Sequence, residues 1–265
     1  MITDSGKNIP AILLKDAGFI YPGNITALEH INIHINQGEK VGIIGPNGSG
    51  KSTLLGLLNG SYHATGEIFI NGIEITKKSD RDIKAMVGLV FQNPDEQLFC
   101  PTIFEDVAFG PVNYGVEKSQ LDEIVSEALN DVGLPGYENR SSDRLSFGEK
   151  KLASIASIIS IKPDIIVMDE PVSNLDHKHR RKIINWINKI DKTIIVTSHD
   201  LEMLVDTCNR VIILNNGNKI ADGPIMEILG NPELLESNNL EQPLSIRHSL
   251  ETYSIAKSYN PNIKE

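Results

Sequence analysis

The chain has 265 residues, 40% hydrophobic and 23% charged, enough to bury a core as one large domain or two modest ones. Its 35 acidic against 25 basic residues leave a net charge of −10, which excludes a nucleic-acid binder that depends on a broad basic face. No apolar stretch reaches the ~20 residues that span a bilayer, so any membrane role has to pass through a partner.

The first ten residues lack the charged and apolar regions of a signal peptide, and Cys100 and Cys208 read as unpaired thiols. Ile12 to Phe19 predicts a strand that ends at the turn Tyr21-Pro22-Gly23. Ile31, Ile33 and Ile35 alternate with Asn32, His34 and Asn36, the period of a strand with one wet face. His34 falls on that face, where solvent is a better expectation than a metal.

The stretch from Lys40 to Leu58 organises the rest. Val41, Ile43 and Ile44 lead into Gly45-Pro46-Asn47-Gly48-Ser49-Gly50, then Lys51, Ser52, Thr53 and an apolar helix. Strand, glycine-rich loop and helix in that order form a phosphate cradle, because successive backbone N–H groups converge on one anion at a helix N-terminus. Lys51 is placed to reach the β- and γ-phosphates, and the Ser52 hydroxyl to ligate Mg²⁺. A chance match to this pattern would arise in roughly one chain of this length per hundred.

Further along, Glu67 to Ile70 and Ile73 to Ile75 flank Asn71-Gly72, a type I′ hairpin signal. Together with the first strands they predict a small antiparallel layer beside the nucleotide-binding core. Met86 to Phe91 reads as a buried strand, followed directly by Gln92. The character then changes to loops and short helices. Ser119 is read as the cap of an amphipathic helix with Leu121, Ile124, Val125, Ala128, Leu129 and Val132 on one face and Gly133 as its stop. This middle third is expected to be helical and inserted between strands of the core.

Three buried strands come next, Ile165 to Met168, Thr193 to Thr197 and Val211 to Leu214. Helices near Lys178–Ile190 and Leu201–Asp206 separate them, an alternation that predicts an α/β parallel sheet. Asn215-Asn216-Gly217 turns into a short strand, Lys219 to Ala221. Beyond Asn231-Pro232 the chain is polar, and its last eight or so residues are expected to fray.

A phosphate cradle needs a metal partner and a means of activating water. Asp169 and Glu170 stand at the end of a predicted strand, where open α/β sheets place their sites. Asp169 would hold Mg²⁺ and Glu170 would polarise the attacking water as general base. Leu145-Ser146-Phe147-Gly148-Glu149 opens an apolar helix; read alone, it is equally a phosphate-facing helix start or an ordinary capping box. Ser173-Asn174-Leu175-Asp176 can be a turn and cap or part of the site. His199 falls beside the acidic pair if its strand neighbours theirs, and there it could sense a γ-phosphate.

Taken together, these motifs resemble an ABC transporter ATP-binding subunit over roughly residues 12 to 230. The resemblance rests on a Walker A (Gly45 to Ser52), a Q-loop (Gln92), an LSGGQ-like signature (Leu145 to Glu149), a Walker B (Asp169) with Glu170, a D-loop (Ser173 to Asp176) and an H-loop (His199). It implies a P-loop NTPase (RecA-like) α/β core with an antiparallel β subdomain and an inserted α-helical subdomain at about 95–160. The ATPase domain would then occupy 11–230 and a short extension 231–265. The implied ligands are ATP and Mg²⁺, with Tyr21 stacked on adenine, Gly45 to Thr53 on phosphate, and Ser52, Gln92 and Asp169 at the metal. Glu170, His199 and Gln92 would carry the chemistry.

By the same resemblance, Ser146 and Gly148 complete the nucleotide site of a second ATPase subunit. The dimer would sit peripherally on the cytoplasmic face of the cell membrane with an integral transport subunit and a substrate-binding membrane subunit. The phrases YPG, VFQNPDEQLF and FEDVAFGPVNYG look like the energy-coupling-factor and cobalt/nickel importer ATPases, in which the segment around Gln97 lies near the membrane partner. The sequence departs from the family at Phe147 and Glu149 in the signature, at Leu152 after it, and at Pro171-Val172. A soluble ABC ATPase, or a subunit that mainly supports a more active paralogue, are the other readings.

Overall fold

The computed structural model describes residues 9–248. The expected fraying of the last residues lies outside that range. The chain opens with two long antiparallel strands, β1 (Ile12–Tyr21) and β2 (Ile25–Ile35), before β3 (Lys40–Ile44) delivers the phosphate loop to α1 (Lys51–Leu58). Next come β4 (Thr65–Ile70) and β5 (Ile73–Glu74). Between them Asn71 and Gly72 both take positive φ, 49° and 82°, as a type I′ turn requires. Pairing in the order β2-β1-β4-β5 gives the antiparallel layer expected beside the core.

After α2 (Asp80–Met86) and β6 (Val87–Val90) the chain leaves the sheet for a helical excursion: α3 (Ile103–Asn113), α4 (Lys118–Asp131) and α5 (Phe147–Ile159). Thr102 caps α3 through a complete capping box with Glu105. The start of α4 corrects one expectation. Glu117, with extended backbone, is the residue before the helix, and Ser119 lies inside its first turn. The apolar face is as expected, with Leu121, Val125, Ala128 and Leu129 buried, and Gly133 follows the helix at φ 75°.

The chain then re-enters the main sheet through β7 (Ile165–Asp169), α6 (His177–Lys189), β8 (Thr193–Thr197), α7 (Leu201–Thr207), β9 (Arg210–Asn215) and β10 (Asn218–Pro224). Two short helices, α8 (Ile225–Leu229) and α9 (Pro232–Glu236), follow. Strand order is β10-β9-β3-β8-β7-β6, parallel except for β10. Successive side chains of β7 serve opposite faces, Ile165 and Val167 packing towards α1 and the antiparallel layer, Ile166 and Met168 towards the helices. This two-sided burial explains why the parallel strands read as unbroken apolar runs. The fold is a P-loop NTPase core with its β layer, α1 and α2 on one side and its remaining helices on the other.

That order has a chemical consequence. β8 runs between β3 and β7, so the phosphate loop, the Thr197-Ser198-His199 segment and the Asp169-Glu170 pair leave neighbouring strands at their carboxyl ends. Gln92 leaves β6 at the same end.

Candidate nucleotide site

The phosphate loop is held tightly from behind. Gly45 has φ 151°, and a Cβ built there would lie 2.0 Å from the carbonyl oxygen of Leu214, so no side chain fits. The Gly217 N–H donates to the Ser49 carbonyl at 3.2 Å, and Glu29 N–H to the Gly217 carbonyl at 2.9 Å. The turn after β9 thus braces the loop against β2. Lys51 is buried, and its ammonium donates to the carbonyls of Gly45 (2.8 Å) and Pro46 (3.0 Å). Burial pulls its pKa down, while Glu170 and Asp169 act in the opposite direction.

Opposite the loop, Asp169 accepts from the Thr197 hydroxyl at 2.5 Å. Glu170 has φ 45°, a left-handed conformation that a non-glycine residue adopts only when its surroundings impose it. The imposition is visible: its N–H is shared between the carbonyl and hydroxyl oxygens of Thr197, both at 3.1 Å. Its side chain is 9% exposed; Oε2 accepts from His199 N–H at 3.2 Å, and Oε1 is buried without a hydrogen bond, 3.6 Å from His199 Nε2. Burial raises the Glu170 pKa, against the pull of the His199 contacts. The His199 ring is half exposed. Its loop is fixed by Asp200, which caps α7 and takes a bidentate pair from Arg180 of α6 at 2.7 and 3.0 Å.

A cavity of about 620 Å³ joins these groups. Tyr21, Asn47, Gly48, Ser49, Gly50, Lys51, Ser52, Thr53, Gln92, Asp169, Glu170 and His199 line it together. The Tyr21 hydroxyl meets that of Thr53 at 3.0 Å, and its ring packs edge-on to Phe19 and Tyr62. Ile25, Thr26 and Ala27 also line the cavity. Sequence reasoning passed over them; the only signal was their position just beyond the Tyr21-Pro22-Gly23 turn.

Ser146 and Gly148 do not line this cavity. They stand at the N-terminus of α5, where the capping box is complete: Ser146 Oγ donates to Glu149 at 2.8 Å and accepts from Glu149 N–H at 3.3 Å. Tyr137 donates to the same carboxylate at 2.6 Å, and with the Ser146 bonds it holds the Glu149 pKa at about 2. Gly148 is required by His179, whose ring would lie 2.4 Å from an added Cβ. His179 in turn bonds Asp176, the cap of α6. Signature and D-loop residues are therefore packed together. Lys151, which no sequence motif singled out, is fully buried; burial brings its pKa down to about 8.

A phosphate loop on a parallel sheet, facing a carboxylate pair and a histidine from adjacent strands, defines a P-loop nucleoside triphosphatase. The model of the ABC transporter family matches residues 28–173. The energy-coupling factor transporter ATP-binding protein EcfA of Methanothermobacter thermautotrophicus is 44% identical over 238 residues, covering 88% of this chain and 76% of that one. Among solved structures, cbiO1 of Clostridium perfringens, part of the ABC transporter complex cbiONQ, is 30% identical with a TM-score of 0.77 over 91% of this chain and 99% of that one. The ATP-binding cassette MJ0796, solved as a dimer in a post-hydrolysis state with ADP and Pi, is 28% identical with a TM-score of 0.73 over 81% and 98%. The chain belongs to the ABC transporter family. It is an ATP-binding, ATP-hydrolysing subunit resembling the energy-coupling-factor type.

Proposed function

We propose that this ATPase works as a dimer that energises uptake by an energy-coupling-factor importer. Its site is Tyr21 for adenine, Gly45 to Thr53 for phosphate and Glu170 as general base, with His199 and Gln92 at the γ-phosphate. The observation that carries this reading is the strained Glu170, whose one unbonded, buried carboxylate oxygen stands beside His199 at the cavity holding Lys51. Ser52, Gln92 and Asp169 share that cavity as oxygen donors, a set that suits Mg²⁺. Among the described residues no cluster of three His, Cys, Asp or Glu side chains could hold a metal, in keeping with an ion that takes further oxygens from substrate phosphates. Bound there, Mg²⁺ would neutralise charge on the transferring phosphoryl group.

The dimer follows from the half-site. A single subunit leaves the γ-phosphate open on one side, and Ser146 and Gly148 of a second subunit would close it. Loss of the γ-phosphate would open the dimer and drive the membrane partner. Phe99 and Phe109, 65% and 49% exposed with ring centroids 5.0 Å apart, support docking to an apolar membrane subunit. No described helix is long and apolar enough to cross a membrane, so attachment to the cytoplasmic face would come through that subunit. The cargo we propose is a cobalt or nickel ion, or a vitamin, received from a substrate-binding membrane subunit. Residues 11–230 form the ATPase domain in this reading and 231–265 an extension.

The experiment is co-purification from membranes combined with Ser146→Arg. A membrane subunit should accompany the chain, and the variant should bind ATP but not hydrolyse it. A chain that hydrolyses ATP fully with no membrane partner would instead be a soluble ABC ATPase.

A further inference from the structure

Helix α5 reaches two places at once. Its N-terminus carries Ser146 and Gly148, and one turn later the fully buried Lys151 points back to the start of the Gln92 loop. The Lys151 ammonium donates to the carbonyl of Phe91 at 2.8 Å and of Gln92 at 2.5 Å. It makes no ion pair among the described residues. Burying an ammonium is costly; its hydrogen bonds go to main-chain carbonyls at one point of one loop, while Asp169 and Glu170 favour its charge without pairing with it.

A second connection tightens the same point. Gln97 Oε1 accepts from the Phe91 N–H at 3.1 Å, while its amide donates to the Ser154 carbonyl (2.8 Å) and the Ser157 hydroxyl (3.0 Å) of α5. Both polar groups of the Phe91 main chain and the carbonyl of Gln92 are thus bound to α5, directly or through Gln97. Outside, Lys150 pairs with Asp95 at 2.6 Å. The loop that carries Gln92 into the nucleotide cavity cannot shift at its root unless α5 shifts with it.

We propose that Lys151 is a positioning residue that latches Gln92 to α5, so that Gln92 in one nucleotide site follows the helix whose N-terminus serves the other. This rests on the role given above to Gln92 and on the paired-site reading. A methionine would fill the space of Lys151 but leave two buried carbonyls unpaired. A loss of stability alone would therefore not identify the latch, whereas a double-mutant cycle does.

The test measures kcat, KM for ATP and the Mg²⁺ concentration for half activity in the assembled transporter, for wild type, Lys151→Met, Gln92→Ala and the double variant. Lys151→Met should lower kcat about tenfold by misplacing Gln92, raise the Mg²⁺ requirement, and leave KM for ATP within about twofold. The double variant should be no slower than Gln92→Ala alone. Multiplying losses, or a Lys151→Met enzyme with wild-type kcat, overturn the latch while leaving the site intact. An unchanged Gln92→Ala enzyme strikes the role of Gln92 itself, and the latch with it. If melting shows Lys151→Met unfolded, Gln97→Met releases the same main chain from its other side and the cycle is read by the same rule.

Discussion

The main-chain N–H of His199 holds one oxygen of Glu170 at 3.2 Å, and the other oxygen is buried without a hydrogen bond, 3.6 Å from the His199 ring. The carboxylate is set in place by one half and left reactive at the other. Its raised pKa means that ionising it opposes folding: the cost is absent below the usual glutamate value near 4.5 and present once pH rises past the folded-state value. Glu170→Gln should therefore abolish ATP turnover yet stabilise the fold at pH 7 by about 1 kcal/mol, the trade-off common at strained catalytic groups. Calorimetry and an ATPase assay on one preparation test both; a lowered melting temperature would contradict the account.

The same raised pKa fixes the acid side of the activity profile. As pH falls, Glu170 takes up its proton earlier than an ordinary glutamate, so kcat should decline with an apparent pKa above 4.5. A profile measured with saturating ATP that stays flat down to pH 4.5 would remove Glu170 as the base.

Lys51 should be worth about 1.5–3 kcal/mol of nucleotide affinity, the range for hydrogen bonds to charged groups. Lys51→Ala is expected to weaken ATP binding roughly 10- to 150-fold in an equilibrium titration. The fold should survive, since the ammonium bonds only to loop carbonyls.

Arg180 does not itself line the cavity, but its two bonds to Asp200 hold the residue after His199. Arg180→Ala should cost about 1 kcal/mol of stability and lower kcat while ATP affinity is kept, because the loop is misplaced rather than the cradle. Equal losses in kcat and binding would point to a wider collapse.

Glu149 makes the signature sensitive to acid. Its carboxyl is held at about 2 by Tyr137 and Ser146, so the stabilisation is complete above about 4.5 and is lost as pH falls through about 2. Glu149→Gln should flatten the fall in melting temperature across that window and lower the melting temperature at pH 7, where the wild type holds the full stabilisation.

Much of this architecture was legible in the residues. The cradle could be read because strand, glycine loop and helix are local, and the hairpin because Asn71-Gly72 specifies its own turn. Parallel strands were visible as apolar runs, though not their order, which depends on contacts across more than a hundred residues. Ser119 was misread since Lys118 and Ser119 are both acceptable in a first turn; the chain becomes extended only at Glu117. The capping box of α3 was present in Thr102 and Glu105, but Pro111 within the helix obscured its length. Lys151 was the least readable. A lysine in an amphipathic helix defaults to the solvent side, and only the folded loop at Phe91 and Gln92 supplies the carbonyls that draw it inward.

The bracing of the phosphate loop bears on the order in which the protein matures. The cradle is specified by residues 45–53, yet β3 finds its neighbours only in β8 and β9, and the loop rests on Leu214 and Gly217. During synthesis the glycine loop leaves the ribosome more than 150 residues ahead of the turn that supports it. A nascent chain should therefore gain its hold on ATP late and abruptly, once β9 and its turn have emerged. Until then an exposed, apolar β3 waits for partners that have not yet been made.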